Sequence, residues 1–455
     1  MRLVLLLLAA IPLWSADPVF TVHPEQVLRE GADRWLGINL NYIRDLDANR
    51  PAGSPPLGTA LDGLGVRWLR FPGGEKSDFH RFAKPPYARP EPVSLGWYLE
   101  PQGRRMDFDA YIAICRARGA EPYVVVACDS PERTGATWDE QLEHAVAWVR
   151  YAKEHACGVR HWEIGNENWH NQTAPATAMA AQVVRFARAM KAVDPTVRVG
   201  ASGNNGAWWK VFLPLAAADL DFLTASVYNC WEWKSYDRLL REPEPDLRAD
   251  AGNALRAIDE LPAGPDRDRL RVVVAEANSR DYSKDGWGHA NNLGHAIATF
   301  ETFGRLLREP RISAAMLWTT RWVDQGKALE DIFYALDDGN APTASGLAVG
   351  LWGRHLHARL LAVEGGGGPL RAHASASADG RTWTVWLVNR GREPAAGVRV
   401  RLGGLGGTAS AYRLSGSSPD DIHLVQDAPT PLVIADGAVG PLTLPPLSIT
   451  VISGR

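Results

Sequence analysis

Two carboxylates stand out by their company. Glu167 lies in the decapeptide HWEIGNENWH (161–170), which crowds two glutamates, two histidines, two asparagines and two tryptophans into ten residues. Glu276 lies 109 residues further on, in VVVAEAN (272–278). Two carboxyl groups facing each other across a bound acetal can cleave it. One, held protonated, gives its proton to the leaving oxygen, and the other attacks the anomeric carbon or activates a water. A separation of about 5–5.5 Å gives retention through a glycosyl-enzyme, and about 6.5–9.5 Å gives inversion. The acid needs a raised pKa, which burial beside a like charge supplies. The attacking carboxylate needs a cation nearby, and Arg70 of LRFPGG (69–74) is the candidate.

Such residues need a frame that brings distant segments to one place. From about 35 to 361 the chain alternates apolar β-type runs with amphipathic stretches. The runs are 35–41, 66–73, 122–129, 159–167, 197–203, 222–229, 270–279 and 312–320. Helical periodicity marks 108–119, 137–156, 176–193 and 343–361, and Thr137 with Glu140 forms a capping-box pattern. Eight continuous apolar strands alternating with helices predict a parallel sheet closed on itself, a (β/α)8 TIM barrel. A doubly wound sheet would want GxGxxG after its first strand, where this chain reads NLNYIRDLDAN.

In such a barrel the active site lies at the C-terminal ends of the strands. Arg70 then ends strand 2, Asn166 and Glu167 end strand 4, Tyr228 and Asn229 end strand 6, Glu276 and Asn278 end strand 7, and Trp318 ends strand 8. Three βα units separate the two glutamates, so they should face across the axis. Asn166 is placed to bind the hydroxyl beside the anomeric carbon, Tyr228 to donate to the strand-7 carboxylate, and Trp318 to floor the sugar site. Asn229, Asn278, Glu75 and Trp169 are further candidate contacts, and Trp231 and Trp233 sit on the same predicted loops. Glu163 reads as a buried ion-paired group.

After EGGGGP (364–369) helical periodicity stops, and alternating runs between Gly and Pro turns predict an antiparallel β-sandwich over 362–455. Residues 1–16, one Arg and then an apolar run, read as a signal peptide too short for a membrane span. Residues 17–34 are expected to add a strand to the sandwich, and 35–361 form the catalytic barrel. A net charge of −3 without a basic stripe argues against nucleic acid. Cys115, Cys128, Cys157 and Cys230 match no zinc or redox pattern and read mostly as buried free thiols. Glu167 and His170 make a lone ExxH without the second copy that a carboxylate di-metal site needs. Neither metal nor cofactor is expected, GxSxG is absent, and nothing read from the sequence sets an oligomeric state.

The set LRFPGG, HWEIGNE, VVVAEAN and the late-strand Trp318 resembles clan A glycoside hydrolases, most nearly family 51, the α-L-arabinofuranosidases. The resemblance runs over most of the mature chain, to LPPLSITV (444–451). It implies a retaining reaction, with Glu167 as acid/base and Glu276 as nucleophile, and carries over to Asn166 and Arg70. The chain departs from the family where Glu75 replaces the usual Asn after PGG, and where strand 6 ends in SVYNC instead of His-Tyr. These departures bear on the sugar more than on the reaction. The expected function is a secreted, retaining, α-L-arabinofuranosidase-like hydrolase of polysaccharide or oligosaccharide. A clan A endo-β-glycanase and a non-catalytic carbohydrate-binding protein are the alternatives.

Overall fold

The computed structural model describes residues 17–86, 104–171, 174–228, 230–242, 250–323 and 327–455. The expected signal segment 1–16 and Asn229 lie outside the described residues. Eight strands, Leu36–Asn39, Trp68–Phe71, Glu121–Val126, His161–Ile164, Arg198–Ser202, Phe222–Val227, Arg271–Ala277 and Ile312–Leu317, form a closed barrel. Each pairs in parallel with the next, and the first closes on the last through Gly37 and Met316. They are numbered barrel strands 1 to 8.

The barrel is filled from below by Tyr123, Val125, Phe222, Val273, Ala314 and Met316. Their outward neighbours, such as Val124, Trp162 and Leu223, pack against the helices. The helix Trp138–Glu154 illustrates how sequence sets that shell. Its first turn is fixed by the Thr137–Glu140 capping box, and Ala145, Trp148, Val149 and Ala152 form the buried stripe. Each large apolar side chain so buried contributes about 1.5–3 kcal/mol. Polar side chains take over above the apolar plug: Asn39, Arg70, Glu163 and Thr224 are all buried.

The second unit is a β-sandwich of antiparallel strands with one parallel pairing. Trp383–Asn389 lies between Leu370–Ala376 and Ser448–Gly454, residue against residue in both pairings. The N-terminal strand Val19–Glu30 runs antiparallel to Arg359–Gly365 and parallel to Ala395–Arg401. The helical stretch expected over 343–361 is shorter than its periodicity suggested. The helix spans Ala344–Gly353, and residues 359–361 already belong to the sheet. A β-partner from the other end of the chain overrides the local pattern there. Barrel and sandwich share one core, in which Trp386, Val388, Ile449 and Val451 pack with barrel helices. The buried pair Arg390–Glu301, 3.0 Å apart, joins them. All four cysteines are buried, and none of them forms a disulfide. Among the described residues no helix is long and apolar enough to cross a membrane.

Candidate active site

The C-terminal mouth of the barrel is organised around Arg70, which is 1% exposed. Its Nε donates to Glu163 (2.8 Å), one terminal nitrogen to Asn39 and Glu276 (2.9 Å each), and the other to Asn166 (2.7 Å). One guanidinium thereby fixes groups from barrel strands 1, 4 and 7. Burial alone would lower its pKa, but the charges of Glu163 and then Glu276 outweigh it and the net shift is upward. Truncating one member of a buried, fully paired network leaves uncompensated charge. Arg70→Met is therefore expected to lose about 3–5 kcal/mol of stability. Chemical denaturation measures this, and a loss below about 1 kcal/mol would show that the network does not hold the mouth together.

Barrel strand 6 supplies a hydroxyl to each of three carboxylates. Thr224, Ser226 and Tyr228 alternate onto the inner face, as residues two apart on a strand must. Thr224 donates to Glu163 (2.8 Å), Ser226 to Glu167 (2.5 Å) and Tyr228 to Glu276 (2.7 Å). Glu276 thus has one oxygen held by Arg70 and the other by Tyr228.

Glu167 reaches the mouth through a tight turn. Gly165 has φ 74° and Glu167 itself φ 45°. A side chain on Gly165 would strike the Asn168 amide and the Cys128 carbonyl, 2.2 and 2.7 Å away, so that position requires glycine. The left-handed conformation of Glu167 costs about 1–2 kcal/mol. Burial and then the charge of Glu276 raise its carboxyl to about 8, against the Ser226 hydrogen bond, which lowers it. Glu167 is thereby kept protonated at neutral pH while Glu276 sits in a salt bridge. That asymmetry suits an acid and a nucleophile. Asp250, whose charge also acts on Glu167, is raised to about 7 by burial.

The other candidates divide. Trp318 is buried at the end of strand 8, and its ring lies where a side chain on Gly74 would be. Asn278 does not face the mouth: its amide donates to the carbonyls of Trp318 and Phe333 and its oxygen accepts from the Arg280 N–H, so it fastens loops. Glu75 is captured by Arg133 (3.0 Å), which also holds Asp78 and Asp129 (3.2 and 3.3 Å). Asp78 in turn accepts from the Asn166 N–H, so Glu75 belongs to a brace between loops rather than to a free sugar contact. Trp169 is half-buried and packs edge-on against His170. At the rim Trp231 and Tyr282 are 53% and 40% exposed, and Tyr282 meets Tyr228 edge-on.

Sequence reading missed Asn39, Ser226, Asp250, Tyr282 and Lys76. Ser226 carried a signal, since it lies two residues before Tyr228 on one strand face. Lys76 follows Glu75 directly, but its surroundings, Trp318 and Trp322, come from a segment more than half the chain away.

A closed (β/α)8 barrel with carboxylates of strands 4 and 7 at one mouth is the architecture expected of clan A glycoside hydrolases, and comparison with known proteins agrees. No protein-family profile matches the chain. The relatives and solved structures that the chain resembles include family 51 arabinofuranosidases. It is 25% identical to the alpha-L-arabinofuranosidase C of Emericella nidulans, over 32% of each chain, so the match spans about a third of that relative's length. A thermostable family 51 alpha-L-arabinofuranosidase from Thermotoga petrophila superposes with a TM-score of 0.74 at 20% identity, over 96% of this chain and 100% of the other. CelM2, a bifunctional glucanase-xylanase from a metagenome library, gives 0.62 at 13% identity, over 96% and 99%. At these identities the structural likeness shows the fold.

Proposed function

We propose that the chain is a secreted, retaining glycoside hydrolase with Glu167 as acid/base and Glu276 as nucleophile. The observation that carries this reading is the pair's opposite electrostatic setting: Glu167 is raised to about 8, while Glu276 is bonded to Arg70 and Tyr228. Glu167 protonates the leaving oxygen as Glu276 attacks the anomeric carbon. The resulting carboxylate of Glu167 then takes a proton from the water that releases the sugar. Asn166, oriented by Arg70, is the candidate contact to the neighbouring hydroxyl, and Trp318 lines the sugar site. The substrate class is an α-L-arabinofuranoside of a polysaccharide or oligosaccharide, supported by the sequence likeness to arabinofuranosidases. Export rests on residues 1–16.

A panel of aryl glycosides and polysaccharides, with the first-formed anomer read by proton NMR, tests this. Release of arabinose of retained configuration is expected, and an inverted first product would overturn the double displacement. A second reading, endo-action on a glycan, draws on the exposed Trp231 and Tyr282 beside the mouth, which suit stacking of further sugar rings. Oligosaccharides as the first products from a polysaccharide would favour it.

A further inference from the structure

Lys76 lies on the loop after barrel strand 2 and is wholly buried. Its Nζ stands 5.0 Å from the Trp318 ring centre and 4.3 Å from that of Trp322. The two rings are 5.1 Å apart and inclined at 60°, and the ammonium sits against both. Among the described residues no atom accepts a hydrogen bond from it. The charges around it are paired otherwise: Arg70 with Glu163 and Glu276, Asp45 with Arg321 at 2.9 Å, Glu75 with Arg133. A buried ammonium without an acceptor is costly, so its retention beside the catalytic centre calls for a reason.

The charge count supplies one. Glu163 and Glu276 share a single guanidinium, which leaves one negative charge without a match. Lys76 is a cation placed to offset it: of the charges acting on it Glu276 comes first, then Asp45, with Arg70 opposing and Glu75 adding. Burial outweighs them and lowers the ammonium to about 7. The location also avoids a conflict. Arg70 and Tyr228 already occupy both oxygens of Glu276, and a third strong donor would compete for the lone pair that must reach the anomeric carbon. The two indole faces hold Nζ by cation–π attraction instead.

We infer that Lys76 is a positioning residue for Glu276: it supports the nucleophile's negative charge through space, without a hydrogen bond and without touching substrate. This rests on the hydrolase reading for the role of Glu276. Lys76→Met and Lys76→Arg test it on whichever aryl glycoside the parent cleaves. The Met variant is expected to lose about 10- to 100-fold in kcat/KM and to show its acidic limb at higher pH, while Arg recovers part of both.

Stability should move the other way. The unfolded lysine keeps its proton up to about 10.5 and the folded one only to about 7. The unfolded chain therefore binds more protons between those values, and the parent gains stability as pH rises through that window. Lys76→Met should accordingly have the higher Tm below pH about 7, with its advantage shrinking toward 10.5. A Met variant that is less stable or unfolded would make Lys76 structural and overturn the inference. So would one with the parental pH profile and kcat/KM. If Glu276→Gln is dead while Lys76→Met behaves as the parent, the inference alone fails. A parent inert on every glycoside removes the hydrolase reading and this one with it.

Discussion

Glu276→Gln is expected to lower kcat/KM by about 10⁴-fold or more on every glycoside the parent cleaves. The amide nearly matches the carboxylate in shape and can still accept from Arg70 or Tyr228, so the fold should persist. What it lacks is a charged oxygen able to form the glycosyl ester. Near-normal hydrolysis by this variant would remove Glu276 from the nucleophile role. The smaller Glu276→Gly leaves room for an external anion. Azide should restore turnover with an activated aryl glycoside and yield a glycosyl azide of inverted configuration. A product of retained configuration would contradict attack from the face that Arg70 and Tyr228 define.

Glu167→Ala should separate substrates by their leaving groups. A sugar or alkoxide cannot depart without a proton, and the expected loss is about 10²–10⁴-fold. A dinitrophenolate leaves unaided, so glycosyl-enzyme formation from such a substrate should change far less. Equal losses for both kinds would refute the acid role. The parent's pH profile carries the same information. Only protonated Glu167 can act as the acid, so activity should fall steeply as pH rises through about 8, after a partial decline as Lys76 loses its proton near 7. Ser226→Ala removes the hydrogen bond that holds this group down and should move the alkaline limb upward. A limb that stays in place in Ser226→Ala would detach it from Glu167.

Much of this molecule was legible locally. The eight barrel strands are short apolar runs bounded by helices, and a strand's C-terminal end is visible where the run turns polar, as in HWEIGNE and VVVAEAN. The fold class and the strand positions of Glu167, Glu276 and Arg70 could be read in that way. Properties created by distant partners could not. Glu75 looked like a sugar contact because it follows PGG, but Arg133 of the next loop claims it. Asn278 was credited to the site, and two backbone carbonyls take its amide. Nothing in the sequence around Lys76 marks it, because Trp318 and Trp322, which bury it, lie more than half the chain away.

The antiparallel pairing of Val19–Glu30 with Arg359–Gly365 has a consequence for how the chain folds. These segments are the entrance to the barrel and the exit from it. Val27 faces Leu361 and Glu30 faces Arg359, while a few residues inward Gly37 pairs with Met316 to close the barrel. Each pairing joins points far apart in sequence and so demands a large loop-closure entropy. Because they are nested side by side, the second comes almost free once the first has formed. Barrel closure and docking of the sandwich should therefore occur as one late, cooperative event of high contact order. The terminal strand serves as the latch on that step.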